Sequence, residues 1–287
     1  VPLSLSEIND LFLGYDANAE DVVRLMQSAN LSSDQVVRLV GDAGSDNYLE
    51  YDVVAANTIC ENQGQQNSCG GNSLATDLEW IYNWATGTYV QLSRQCAYIW
   101  GQGTPRGDNG MTIEGGVEVA ANKGVPPETL WQYPNPVRYM TKPPEGVTQQ
   151  QLLEAARPFI VGGRSWCDRY DAGDAHLAGG QGVLYLGIPW RASMAQGEAV
   201  IEEFAGGYRG WHAVGVLARS PRKDRKGRRY WWLVNSHGAR WGRRGLAEVS
   251  PTCVEGWFRD GGRVCGLSDL KTPVIRQWDY KAKPVTH

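Results

Sequence analysis

Asn62-Gln63-Gly64-Gln65-Gln66-Asn67-Ser68-Cys69-Gly70-Gly71-Asn72-Ser73-Leu74-Ala75-Thr76-Asp77-Leu78-Glu79-Trp80 is the stretch on which the reading of this chain turns. Small and polar residues as far as Ser68 suit a loop. Beyond Cys69, apolar residues recur at Leu74, Ala75, Leu78 and Ile81, the spacing of one face of a helix. The stretch therefore delivers a thiol to a helix N-terminus, where partial positive charge stabilises the nucleophilic thiolate. Cys69 is a candidate nucleophile, and Gln63 stands six residues before it.

A thiol nucleophile needs a base, and the base needs an orienting group. The chain has four histidines. His287 is the terminus. His176 follows the Gly/Asp-rich segment Asp171-Ala172-Gly173-Asp174 and reads as loop. His237 lies in Asn235-Ser236-His237-Gly238. His212 opens the apolar run Trp211-His212-Ala213-Val214-Gly215-Val216-Leu217, a strand whose first residues would face a cleft. Asn235 ends the next strand, Tyr230 to Asn235, after a hairpin. Antiparallel pairing would bring His212 and Asn235 together, so that Asn235 can accept the imidazole N–H and fix its tautomer. Gln63 can donate to an oxyanion alongside the Cys69 backbone N–H.

These segments together resemble papain-like cysteine peptidases. Asn62-Gln63-Gly64 through Ser68-Cys69 is similar to that family's Gln-Gly…Ser-Cys segment. Trp211-His212-Ala213-Val214 is similar to its His-Ala-Val strand. Tyr230 to Ser236, with Gly238 and Trp241-Gly242, resembles its Asn-Ser-Trp-Gly…Trp-Gly block. Asp108-Asn109-Gly110 and Lys123-Gly124-Val125-Pro126-Pro127-Glu128 resemble its middle segment. The similarity spans about residues 55–250, in the order Cys, His, Asn. It implies a two-lobed α+β fold and hydrolysis of a peptide or related amide through an acyl-enzyme. Cys69 would attack, His212 would shuttle the proton, Asn235 would orient it and Gln63 would build the oxyanion hole. No metal or organic cofactor is implied. Two positions depart from the pattern. Gly70 stands where an aromatic usually follows the nucleophile; with Asn72 it resembles a divergent bacterial and viral branch carrying Cys-x-x-Asn. His237 replaces the tryptophan that shields the His–Asn hydrogen bond, and it adds a second titratable group.

The rest of the chain is consistent with this architecture. Its 287 residues are 42% hydrophobic and include twelve tryptophans, enough for a sizeable core. The first half is helical in pattern: Cys69 to about Trp84, Thr112 to Asn122 behind a Thr112 cap, and Gln149 to Pro158. Strands are expected at Gly182–Ile188, Trp211–Leu217, Tyr230–Asn235 and Gly245–Val249. An α+β architecture with a cleft between its halves follows. A helical lobe is expected over about 55–135 and a β-rich lobe over about 136–270, within a domain of 49–287. Residues 1–48 read as an acidic helical extension, opened by the capping-box pattern Ser4-Leu5-Ser6-Glu7. Residues 1–50 carry nine acids and two bases, a net −7 that leaves the remainder at +4. Such an arm suits packing on the body, a propeptide, or docking into a larger assembly.

Other classes are disfavoured. No apolar run approaches the roughly 18 residues of a membrane span. The basic run Arg219-Ser220-Pro221-Arg222-Lys223-Asp224-Arg225-Lys226-Gly227-Arg228-Arg229 lies between two expected strands. It reads as a hairpin tip rather than a nucleic-acid surface. No Cys-x-x-Cys or His-x-x-x-His spacing marks a metal site. Six cysteines, one assigned to catalysis, favour a reducing compartment, with Cys253–Cys265 and Cys60–Cys96 as candidate bridges. No signal peptide is visible at Val1-Pro2-Leu3-Ser4, so a cytoplasmic or virion-associated setting is expected. Besides a peptidase, the residues admit an inactive papain-like structural protein in a larger assembly, such as a virus particle, or an amide hydrolase of peptidoglycan.

Overall fold

The computed structural model describes residues 60–86, 88–105, 107–178 and 182–271. The expected extension over 1–48 and His287 lie outside the described residues. In chain order the helices are α1 (Cys69–Thr86), α2 (Arg94–Gly101), α3 (Ile113–Asn122), α4 (Gln149–Ala156), α5 (Tyr170–Ala178), α6 (Ala192–Ala195) and α7 (Pro251–Arg259). The strands are β1 (Val161–Cys167), β2 (Gly182–Arg191), β3 (Val200–Ile201), β4 (Tyr208–Lys223), β5 (Arg229–Val234), β6 (Leu246–Val249) and β7 (Arg263–Leu270).

Side-chain caps fix several helix starts. Ser93, Thr112 and Ser250 each accept a backbone N–H of the first turn of α2, α3 and α7. Thr148 and Gln151 form a reciprocal capping box on α4. Helix α1 is buried nearly all round, because it runs between the sheet and the other helices. Leu74, Ala75 and Leu78 are fully buried, and so are Asp77 and, to within 1%, Glu79. Gly71 permits the close approach of α2: a Cβ there would meet Tyr98 N at 2.7 Å.

One seven-stranded sheet orders the strands β1-β7-β2-β4-β5-β6-β3. Neighbours are antiparallel except for the parallel β3–β6 pair. Alternate residues along each strand divide between two cores. Val183, Tyr185, Trp232 and Val234 pack towards α1, α2 and α3. Leu184, Leu186, Trp231 and Leu233 pack on the opposite face, with Val254 and Trp257 of α7. Strand β2 is buried through Trp190 because both faces are covered.

The structure corrects some sequence expectations. The segment around His176 is helix α5, not loop, and His176 Nε2 lies 3.2 Å from the Leu267 carbonyl oxygen. All six cysteines are free thiols. Cys253 and Cys265 cannot bridge, because they belong to the cores on opposite faces of the sheet. Cys60 lies against Gly245, whereas Cys96 is buried among the helices. The strand expected at Trp211–Leu217 runs from Tyr208 to Lys223, so the basic run forms the end of the β4–β5 hairpin. Asp224 Oδ1 accepts the N–H groups of Lys226 and Arg228 at 2.8 and 2.9 Å and closes the turn. Arg222 pairs with Glu248 at 3.1 Å, and Arg228 pairs with Asp224 and Glu255. Part of this run's charge is therefore neutralised within the fold.

Candidate active site

Cys69 is the first residue of α1, and its sulfur accepts the Ala213 N–H at 3.4 Å. Ala213 follows His212, so the start of β4 lies against the start of α1. His212 is buried, and its Nε2 lies 2.8 Å from Asn235 Oδ1. This contact follows from the β4–β5 register, in which Gly215 faces Val234 and Asn235 is the next residue. With Nε2 donating to Asn235, Nδ1 is left as the basic nitrogen of the ring. Asn235 Oδ1 also accepts the Ser236 N–H at 2.8 Å, which holds the amide in place.

Gln63 is tied to the same block. Its N–H donates to the Ser236 carbonyl at 2.9 Å, and its side-chain oxygen accepts the Ser236 hydroxyl at 2.7 Å. Its side-chain NH2 gives one hydrogen to the Gln66 carbonyl at 2.9 Å. A primary amide carries two such hydrogens, so one is left for another acceptor. All four sequence-derived residues therefore converge; Gln63, Cys69 and His212 line one cleft of about 570 Å³. Met111, Thr112, Ile113, Glu114, Gly187, Trp211, Ala213 and Arg263 also line it. Trp211 is 59% exposed at its rim.

Electrostatics at the site disfavour isolated charges. Burial pushes the Cys69 thiol up, while backbone N–H groups of Ala213 and Gly70 pull it back. Burial, and next the neighbouring His237, lower His212 to about 4, with the Asn235 hydrogen bond acting in the other direction. Burial also lowers His237. A thiolate and an imidazolium are each costly here alone, so they are favoured only as a pair.

Further residues support the site, and of these Tyr133 and Trp190 carry no sequence signal of their role. Tyr133 clamps the loop before Cys69: its hydroxyl lies 2.6 Å from Ser68 Oγ and donates to the Gln63 carbonyl at 3.0 Å. Asp108 accepts the Asn67 N–H at 2.9 Å and the Tyr98 hydroxyl at 2.8 Å. Trp190 on β2 packs edge-on against His212, with ring centroids 4.6 Å apart. The shield over the imidazole is thus supplied by Trp190 together with His237, whose ring lies 4.6 Å from His212 at 31°. Among the described residues, no group of three or more His, Cys, Asp or Glu side chains is placed to hold a metal ion. No helix among them is long and apolar enough to cross a membrane.

The chain has the papain-like fold. It is similar to xylellain, a cysteine protease from Xylella fastidiosa, with a TM-score of 0.58 and 20% identity over 78% of this chain and 90% of that one. The bromelain protease from Ananas comosus, in complex with the E64 inhibitor, superposes with a TM-score of 0.56. The identity is 19%, over 77% of this chain and 98% of bromelain. The ragweed pollen cysteine protease Amb a 11, in its proform, gives 0.59 at 18% identity, over 93% of this chain and 77% of that one. The sequence matches no protein-family model and no curated protein.

Proposed function

We propose that the protein is a cysteine-dependent hydrolase of peptides or related amides. The observation that carries this reading is the 2.8 Å contact between His212 and Asn235 beside a Cys69 sulfur held at the start of α1. The similarity to cysteine proteases in fold supports it. In the reaction, His212 Nδ1 takes the thiol proton and Cys69 Sγ attacks the amide carbon. The carbonyl oxygen becomes an oxyanion between the Cys69 N–H and the free hydrogen of the Gln63 amide. Collapse breaks the C–N bond, and the amine leaves with the proton from His212. Water, deprotonated by the same imidazole, then hydrolyses the thioester and restores the thiol. Asn235 keeps one tautomer in place throughout. We further propose that the acidic residues 1–48 serve as a propeptide or a docking arm, on the strength of a net charge opposite to that of the rest of the chain.

The test is covalent labelling with E64, read by peptide mass spectrometry. One equivalent is expected on Cys69, none on Cys69→Ala, and faster labelling of a chain lacking residues 1–48. His212→Ala should slow labelling by at least about a hundredfold, the scale of a lost general base. Absence of a Cys69 adduct in both the full and the shortened chain defeats the proposal.

A further inference from the structure

We propose that His237 acts through His212 to switch the site off in acid, a role that rests on the cysteine-hydrolase reading above. Two imidazoles lie side by side, with centroids 4.6 Å apart and planes at 31°. The edge of Trp190 meets both rings, at 4.6 Å from His212 and 5.8 Å from His237. Asn62 bridges the His237 backbone, which fixes the second ring relative to the nucleophile loop. His237 is exposed at its outer side, whereas His212 is buried. Solvent protons therefore reach His237 without opening the site.

The groups that face this pair are few and come from separate elements. His212 itself comes from β4 and the neutral Trp190 from β2. Asn235, after β5, offers its amide oxygen to His212. Cys69, on α1, lies across the same cleft. Among these, the Cys69 thiol can supply a compensating negative charge, and it compensates His212; Glu114 and Arg263 also line this cleft and are paired with each other at 2.9 Å. A proton on His237 places a like charge beside the His212 imidazolium, and each positive ring disfavours the other. Desolvation already works against charge on both rings, strongly on the buried His212 and less on His237, whose outer side is exposed.

One proton from solvent adds to His237. His212 gives its own proton back to Cys69, and the thiolate is lost. Without an ionisable ring at position 237, the incoming proton must add directly to a thiolate that still faces an imidazolium, which is harder. The second imidazole should therefore make the site fail at a higher pH than the thiolate alone would.

The experiment is the rate of iodoacetamide alkylation at Cys69 from pH 3.5 to 9 on the full chain, read by peptide mapping. It compares the parent with His237→Gln and His237→Trp. Circular dichroism at each pH confirms that the chains stay folded. Both variants should show an acid midpoint lower than the parent's by about 0.5 pH unit or more, with the basic limb little changed. A merely structural role for His237 would scale the rate at every pH and leave the midpoint where it was. Unmoved midpoints in both variants overturn the proposal. Movement in Gln but not in Trp overturns it too, because the cause would then be packing rather than charge. No alkylation of the parent at any pH defeats the cysteine-hydrolase reading, and this inference with it.

Discussion

At Gly70 the missing side chain has a visible cause. A Cβ there would sit 2.6 Å from Met111 Cγ and 3.2 Å from the Tyr185 hydroxyl oxygen, which donates to the Gly70 carbonyl at 3.1 Å. The volume behind the nucleophile is filled by side chains from α3's leading loop and from β2. An aromatic residue following Cys69 has no room. In an open helix, alanine is favoured over glycine by about 1 kcal/mol. Here the sign should reverse: Gly70→Ala is expected to cost about 1–3 kcal/mol of stability through overpacking. Urea denaturation measures it, and a second change, Met111→Ala, should restore part of the loss. A more stable single variant would show that Met111 moves aside freely. The departure at Gly70 was visible in the sequence, but its cause was not, because Met111 and Tyr185 meet it only through tertiary packing. The same holds at His237. Its titratable ring could be read directly, whereas Trp190, which shares the shielding, lies on another strand.

At the scale of elements, the loop from Gln63 to Ser68 is held from outside as well as by its own turn, in which Gln63 and Gln66 exchange hydrogen bonds. Tyr133 links Ser68 to the Gln63 carbonyl, and Asp108 holds Asn67 from the other side. Tyr133→Phe removes both hydroxyl contacts while keeping the ring that Arg94 covers at 4.5 Å. The expected loss is about 1–2 kcal/mol of stability. E64 labelling of Cys69 should slow severalfold, because the thiol and the Gln63 amide are no longer held in register. Labelling at the parent rate would show that the helix start alone positions the thiol. Helices α1 and α3 and the pairing of β4 with β5 were legible because each rests on local signals: apolar periodicity, a Thr112 cap, and a hairpin with Asn235 at its end. Helices α2, α6 and α7 and strands β1, β3 and β7 carry no such clear local signal. Their residues are short runs of mixed polarity, such as Arg94-Gln95-Cys96-Ala97, whose structure is decided by what packs against them. The glycine and aspartates of α5 carry turn chemistry, so its sequence reads as loop. Gly173 is instead required where Trp231 approaches: a Cβ there would meet its ring at 2.6 Å.

Over the whole molecule, the sheet separates two cores, and α1 lies within one of them, packed between strands β2 and β4 and helices α2 and α3. That arrangement buries Asp77 completely against β4. A Cβ on Gly215 would lie 2.2 Å from its Oδ1, and neither carboxyl oxygen has a hydrogen-bond partner. Burial, and next the neighbouring Glu79, raise Asp77 well above the ordinary carboxylate range, so the folded protein holds this acid neutral. The sign of the consequence follows from proton counting. Above the ordinary aspartate range the unfolded chain has released this proton while the folded chain keeps it. The stability is therefore present in acid and is lost as pH rises. Asp77→Asn keeps the shape and removes the titration. Its melting temperature relative to the parent should climb between pH 5 and pH 8, with each kcal/mol worth about 2–4 °C for a chain of this size. Glu61 and Glu79, also raised by burial, are present in both proteins, so their share of the pH dependence largely cancels in the difference. Parallel profiles would mean that Asp77 finds a partner in solution, such as a buried water, that keeps its charged form tolerable.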